Sequence, residues 1–229
     1  MASISIIVPV LDDASVLSRL LADFAAIPDF DAELIVVDGG SSDGSREVAT
    51  GRVDQLLLAP RGRASQLAAG VAAATGSWLW LLHADSRVNA GIWLALRRAI
   101  ALPGAAWGRF DVRLDSVQRG LRVIERSMNL RSRWTGICTG DQGIFVRRDL
   151  LDLVGGIPEQ ALMEDIELSK RLRRFAKPLC LDTPLKASAR RWGQHGIVPT
   201  MLLMWRLRLE YFFGVSPDVL ARRYYRNDH

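Results

Sequence analysis

Blocks of apolar positions, separated by short polar breaks, run along the first hundred residues. Ile4-Ser5-Ile6-Ile7-Val8-Pro9-Val10 is a β-branched run of the kind carried by a strand buried on both faces. A polar break follows at Asp12-Asp13, and leucines at helical spacing predict a helix over 16–27. Glu33-Leu34-Ile35-Val36-Val37 predicts a second buried strand that ends at Asp38. Gly39-Gly40-Ser41-Ser42-Asp43-Gly44 then turns the chain into a short helix. Strands over 55–58 and 78–82 follow, with an alanine-rich helix over 63–74 between them. Asn89 is read as the cap of a helix reaching Ala101. This β-α-β-α succession predicts an α/β protein with a mostly parallel sheet and helices on both faces.

The second half has a different rhythm. Arg109-Phe110-Asp111-Val112-Arg113-Leu114 alternates, as an antiparallel or edge strand does. An amphipathic helix is predicted over 116–131, a short strand over 143–146, and a short helix over 149–153 closed by Gly155-Gly156. A charged helix over 164–174 precedes strands near 178–182 and 185–189. Between Thr200 and Phe213, Leu202, Leu203, Met204, Trp205, Leu207 and Leu209 sit beside Arg206 and Arg208. This stretch is too charged to span a membrane; it reads as a core-packing helix, a membrane-surface helix or a dimer face.

Composition narrows the picture. A chain of 229 residues, 49% of them hydrophobic, suffices for one large α/β domain with a real core. The net charge of +5 is carried mostly by arginine, since Lys170, Lys177 and Lys186 are the only lysines. Arginine suits planar recognition of phosphate, or an anionic membrane surface. No nucleic-acid-binding motif is present, so nucleic acid is not expected as a partner. Cys138 and Cys180 form no CxxC and read as reduced core residues. The N-terminus shows no signal peptide, and no apolar run reaches the roughly 20 residues needed to cross a bilayer. A cytoplasmic protein is expected, with peripheral contact on the inner face of the membrane as an extension.

Ligands of such sheets gather at the carboxyl ends of the strands. Asp38 and Asp85 each close a strand there, and a strand-end acid is either a turn former or a ligand contact. No GxGxxG is present, which disfavours a dinucleotide. Arg61-Gly62-Arg63 precedes the alanine-rich helix, where guanidinium donors and free N–H groups make an anion site, or else a solvated loop. His83 and Asp85, two residues apart, are the candidate metal ligands, against the plain reading of a buried, satisfied histidine beside a turn aspartate, which suits His83 taken alone; a histidine ligand would tilt the choice from Mg²⁺ toward Mn²⁺. Glu164-Asp165 opens a helix and supplies the candidate catalytic base, against the plain reading of first-turn acids that complement the dipole. Asp141, Gln142, Arg191 and Trp192 are further candidates for acceptor or phosphate contacts.

In this order the segments resemble the family 2 glycosyltransferases, in particular a small bacterial subgroup. The resemblance covers nearly the whole chain. It rests on the runs 5–13 and 37–45, on Arg61-Gly62-Arg63-Ala64 with Ala69-Gly70, and on Leu82-His83-Ala84-Asp85. It continues through Gly140-Asp141-Gln142-Gly143, the run 163–168 and Ala189-Arg190-Arg191-Trp192. It implies the GT-A fold, with a small antiparallel portion on the acceptor side. It implies an inverting transfer from a nucleotide-diphosphate sugar, UDP-sugar favoured, to an acceptor hydroxyl, assisted by Mn²⁺ or Mg²⁺. By position, Pro9 and Asp13 would line the nucleotide pocket, Asp38 would contact the base, and Arg63 the base or phosphates. Asp85 would hold the metal and Asp165 would be the base, with Glu164 the alternative. His83 departs from the family's Asp-x-Asp, and Asp12-Asp13 stands where Asn-Glu is usual.

A single domain over 1–229 is therefore expected, with a nucleotide-binding half (1–100), an acceptor and catalytic half (101–195) and an amphipathic helical tail (196–229). The acceptor is open, a lipid-linked one included. The alternatives are a SAM-dependent methyltransferase, from Val37-Asp38-Gly39-Gly40, and a nucleotide-sugar-binding protein without catalysis, from His83.

Overall fold

A computed structural model describes residues 3–225, the side chain of His195 excepted. Met1, Ala2 and the last four residues of the expected tail, 226–229, lie outside the described residues. The strands are β1 (Ile4–Val10), β2 (Ala32–Asp38), β3 (Gln55–Leu58), β4 (Trp78–Leu81), β5 (Trp107–Asp115), β6 (Phe145–Arg147) and β7 (Leu179–Ser188). They form one seven-stranded sheet in the order β3-β2-β1-β4-β6-β5-β7. β1 pairs in parallel with β2 and β4, and β2 with β3. β6 alone runs against its neighbours, pairing antiparallel with both β4 and β5. This is the mostly parallel α/β sheet expected, and β6 is its antiparallel portion.

Why these residues form the sheet is visible in its two faces. Ile6, Val8, Trp78, Trp80 and Phe110 point into one buried cluster, and Ile7, Ile35, Val37, Leu79 and Leu81 into the other. Neighbouring residues of β1 and β4 therefore serve opposite faces, as the period of two requires, and both faces are covered. The helices α1 (Ala14–Ala25), α2 (Ser45–Ala49), α3 (Arg63–Ala73) and α4 (Ala90–Ile100) connect the first strands. The cap at Asn89 is as expected: its side chain accepts from the N–H of Ile92 at 3.0 Å. α3 lies close on the sheet, and a Cβ on Gly70 would fall 2.4 Å from Cγ2 of Ile7.

In the second half come α5 (Arg119–Thr135), a 3₁₀ turn over Gly140–Gln142, α6 (Arg148–Leu153), α7 (Glu164–Leu172), α8 (Arg190–His195), α9 (Ile197–Phe212) and α10 (Pro217–Tyr225). Three expectations need correction. The alternating stretch at 109–114 pairs in parallel with β7, not antiparallel, and is not the outermost strand. The two strands expected near 178–189 are one. Pro184 sits at the register shift opposite Asp111, and a proline without an N–H is tolerated on an edge strand. The tail holds a second helix, α10, that packs back on the body through Leu220 and Ala221.

α9 is two-sided. Leu203, Leu207 and Tyr211 pack with Leu162, Met163, Ile166 and Leu220. Val198, Leu202, Trp205 and Leu209 stay exposed, with Phe212 and Phe213 beyond them. Among the described residues no helix is long and apolar enough to cross a membrane.

Candidate active site

The loops after β1 and β2 are tied together by side chains. Asp12, at φ 49°, accepts from the N–H of Ser42 at 2.8 Å and donates its own N–H to Oγ of Ser41 at 2.9 Å. The first N–H of α1, on Ala14, is capped by Oδ2 of Asp43 from the other loop at 2.8 Å. Gln66 of α3 is buried and donates to the carbonyls of Val10 and Val37 at 2.8 and 2.7 Å, joining the ends of β1 and β2. Asp38 closes its own turn: its carboxylate accepts from the N–H groups of Gly40 and Ser41 at 3.0 Å and has no exposed surface. Asp38 thus faces its own turn and lines neither of the two cavities described below.

Beside these loops lies a cleft of about 1270 Å³. Pro9 and Asp13 line it at the end of β1, Arg61, Gly62 and Arg63 at the start of α3, and His83 and Asp85 after β4. Arg190 and Arg191 of α8 and Tyr224 of α10 form the opposite wall. Arg190 reaches Asp13 at 2.8 Å, and the guanidinium of Arg191 lies 3.7 Å from the ring centroid of Tyr224. A second cavity, of about 310 Å³, shares Arg63, His83, Asp85, Arg190, Arg191 and Tyr224 with the first. Asp141 and Trp192 line only the second.

Between the two compartments a polar chain runs from Asp141 to Glu164. His83 Nδ1 is 3.3 Å from Asp141 Oδ1, and His83 Nε2 is 3.0 Å from Nη1 of Arg63. A guanidinium can only donate, so Nε2 accepts and the ring proton sits on Nδ1, facing Asp141. Nε of Arg63 donates to buried Glu164. A Cβ on Gly140 would fall 2.3 Å from Nε2 of His83, so a glycine is required where the ring crosses the 3₁₀ turn. Both nitrogens of His83 thus face protein groups, and the ring links Asp141 to Arg63, the satisfied arrangement weighed against a metal ligand. Gln142 needs correction. It is fully buried, accepts from the N–H of Thr139 and donates to Ser132 at 3.0 Å, and so shapes the turn without reaching a cavity.

Asp165 lies under the same group. Its Oδ2 accepts from the N–H of Gly140 at 2.8 Å, and with Arg63, His83 and Glu164 it lines a small apolar pocket. Burial, and then the charge of Glu164, push its carboxyl above the usual range, with Arg63 opposing. Asp141 goes the other way: burial would raise it, but the hydrogen bond and charge of His83, with Arg63, hold it below. Two carboxylates on either side of one histidine's neighbourhood are therefore shifted in opposite directions. Met163, which opens α7 just before Glu164, has a left-handed φ of 67°, a strained setting for a side chain of this size.

Asp85 lines both compartments and is the carboxylate that would hold a cation there. Burial raises its carboxyl, His83 opposes, and the nearby charges of Asp141 and Asp13 raise it further. That surplus of negative charge fits a divalent ion. Among the described residues no three His, Cys, Asp or Glu side chains gather as a cage. One or two carboxylates plus ligand phosphates is the ordinary environment of Mg²⁺. Cys138 is buried, with its thiol pushed up to about 12 by burial, and takes no part; Cys180 is half-buried on β7 and also free.

Pattern reading passed over Ser41, Asp43 and Gln66, which hold the rim, and Arg131, Arg208 and Tyr224, which line the cavities. The first three are polar residues inside a motif already noted or inside an alanine-rich helix. Arg131 and Arg208 lie on helices legible mainly by their apolar spacing, and Tyr224 lies on α10, a second helix of the tail not expected from the sequence.

The profile described as Glycosyl transferase family 2 matches residues 5–153. The chain is 33% identical over 168 residues to the PGL/p-HBAD biosynthesis glycosyltransferase of Mycobacterium bovis, covering 66% of this chain and 61% of that protein. It is 34% identical over 128 residues to a TPR repeat-containing protein of Synechococcus elongatus, covering 52% of this chain and 29% of that one. The chain thus spans less than two thirds of these relatives' lengths. In three dimensions it resembles S. aureus TarS 1–349, with a TM-score of 0.65 and 17% identity over 82% of this chain and 60% of that one. It also resembles the mannosyltransferase PcManGT of Pyrobaculum calidifontis, solved with GDP-Man and Mn²⁺, with a TM-score of 0.62 and 20% identity over 90% of this chain and 60% of that one. These are GT-A folds, and the chain has that fold. With the profile covering more than half its length, the chain belongs to glycosyl transferase family 2.

Proposed function

We propose that the chain transfers a sugar from a nucleotide-diphosphate sugar, UDP-sugar favoured, to an acceptor hydroxyl with inversion at the anomeric carbon. One observation carries this reading: two compartments of different lining meet at Arg63, His83 and Asp85. The larger, at the strand ends, suits the nucleotide, and the smaller the acceptor. Names of similar proteins point the same way, TarS having been solved with UDP-GlcNAc. Family membership removes the methyltransferase alternative.

In this reading Pro9 and Asp13 flank the nucleotide, while the N-terminus of α3 and Arg63 face the phosphates. Asp85 would hold Mn²⁺ or Mg²⁺, which when bound offsets the charge of the departing diphosphate. The acceptor oxygen attacks the anomeric carbon from the face opposite the diphosphate. The C–O bond to the diphosphate breaks, the electron pair leaves with it, and the hydroxyl proton passes to Asp165. A carboxyl held above its usual range is the better base, so Asp165 is preferred to Asp141, which serves as a fixed negative charge. Glu164 orients Arg63. The halves 1–100 and 101–195 correspond to donor and acceptor sides, and the tail completes both walls through Arg208 and Tyr224. The exposed face of α9 is the proposed contact with a membrane or a second copy of the chain.

A panel of UDP-, GDP- and dTDP-sugars, with and without Mn²⁺, read by binding and by nucleotide release, tests the reading. UDP-sugar binding with release of UDP is expected. Binding without release under every condition leaves the non-catalytic alternative, and no binding of any nucleotide sinks the proposal.

A further inference from the structure

Arg131 of α5 and Arg208 of α9 face the second cavity from two helices, and neither lines the large cleft. Nε and Nη2 of Arg131 are buried without a hydrogen-bond partner. Among the described residues neither guanidinium has an ion pair, whereas nearby Arg63 and Arg109 are held by Glu164 and Asp111. Burial lowers both groups; Arg131 is pushed down to about 10, with the charge of Arg208 adding to the effect. Asp165 offsets part of the cost for both groups and Asp141 for Arg208, and Asp141 and Asp85 line the same cavity. Neither guanidinium has a contact ion pair among the described residues, however, so two half-buried cations side by side still gain from an anion placed between them. Oγ1 of Thr200, also buried and without a partner, lines the same cavity. Met128, Met204 and Trp205 make part of its wall apolar.

We infer that this cavity seats an acceptor bearing a phosphate group on an apolar body, with Arg131 and Arg208 binding the phosphate and Thr200 donating to it. Two guanidinium groups match a phosphate dianion in charge and in their planar donors, and about 310 Å³ suits a small ligand. The phosphate is a handle and does not react; the attacking oxygen is a hydroxyl elsewhere on the same molecule, at the junction with the donor compartment. The inference rests on the transferase reading above and names the acceptor class it leaves open. The same phosphate chemistry is offered by a soluble phosphomonoester or by a lipid phosphate.

The test is calorimetric binding to the full chain saturated with UDP and Mn²⁺, with glycerol 1-phosphate and monomeric dodecyl phosphate as probes. Phosphate binding should persist at saturating UDP. Arg131→Met and Arg208→Met should each weaken it by about tenfold or more, with UDP affinity unchanged within about twofold. Without ligand, each variant should melt at or above the wild-type temperature, because a half-buried cation with no contact ion pair is removed. An arginine of purely structural value would lower it. If one variant does not fold, the other, on a separate helix, decides. Glycerol 1-phosphate binding identifies a soluble acceptor, and dodecyl phosphate binding alone an amphiphilic one. The inference is overturned if neither probe binds, if UDP competes the probes away, or if the variants weaken UDP equally. If the probes bind but no nucleotide does, the donor reading fails while the phosphate seat stands.

Discussion

Nη1 of Arg63 lies 3.0 Å from Nε2 of His83, so one of the cations shared by the two compartments is steered by a ring that stands where the family usually has an acid. The contact sets the direction of a guanidinium whose other side is fixed by Glu164. It also explains a glycine in the turn below.

Gly140→Ala tests that geometry. The added Cβ would fall 2.3 Å from the ring, and relieving it should cost about 1–3 kcal/mol of stability. In His83→Ala the obstruction is gone, so the double variant should lose less than the sum of the two singles. Denaturant melts of the four proteins measure this; strict additivity would show that the ring is not what the glycine accommodates.

Asp165→Asn should lower turnover by about 10²–10⁴-fold with nucleotide affinity nearly intact, and Asp141→Asn should have a smaller effect. Full activity in Asp165→Asn removes the base assignment.

The pH profile carries a sign. The Asp165 carboxyl is raised, so the rate should climb as pH rises through a value above the ordinary aspartate range, and that limb should vanish in Asp165→Asn. By linkage, a raised carboxyl favours the folded state while protonated; that contribution is present at low pH and lost as pH rises through the folded value. An acid limb at an ordinary aspartate pKa would contradict the environment described.

His83→Asp adds an acid beside Asp85 and should tighten Mn²⁺ binding to the UDP complex by about tenfold, read from free Mn²⁺ by electron paramagnetic resonance. Unchanged or weaker binding would separate position 83 from any cation on Asp85.

Trp205 and Phe212 are 56% and 77% exposed on α9. Wild-type chain should float with anionic liposomes, and Trp205→Ser with Phe212→Ser should keep it at the bottom. A wild type that does not float, but whose mass rises with concentration, assigns the face to a dimer.

The sheet was legible because burial on both faces leaves an unmistakable run of branched residues, as in β1 and β2. β7 differs from the two strands expected because the chain stays paired with β5 across the register shift at Pro184, and pairing is not visible in a sequence. Pro9, Asp13, Arg63 and Asp85 were legible as one cluster because strand ends must share a rim. Asp38 and Gln142 were read as contacts because a sequence shows an acceptor but not whether the backbone already uses it. Arg131 and Arg208 were hidden for a related reason: helical spacing marks a face, while a missing counter-ion appears only once the helices are packed.

The place of β6 has a consequence for synthesis. β4, with all four residues buried, sits mid-sheet only because residues 145–147 arrive to cover its free side. Until then the nascent first half presents a tryptophan- and leucine-rich ribbon with unmet backbone hydrogen bonds, an invitation to stray pairing on the ribosome. A fragment cut near residue 100 would keep that ribbon permanently bare and should aggregate, however complete its nucleotide pocket looks on paper.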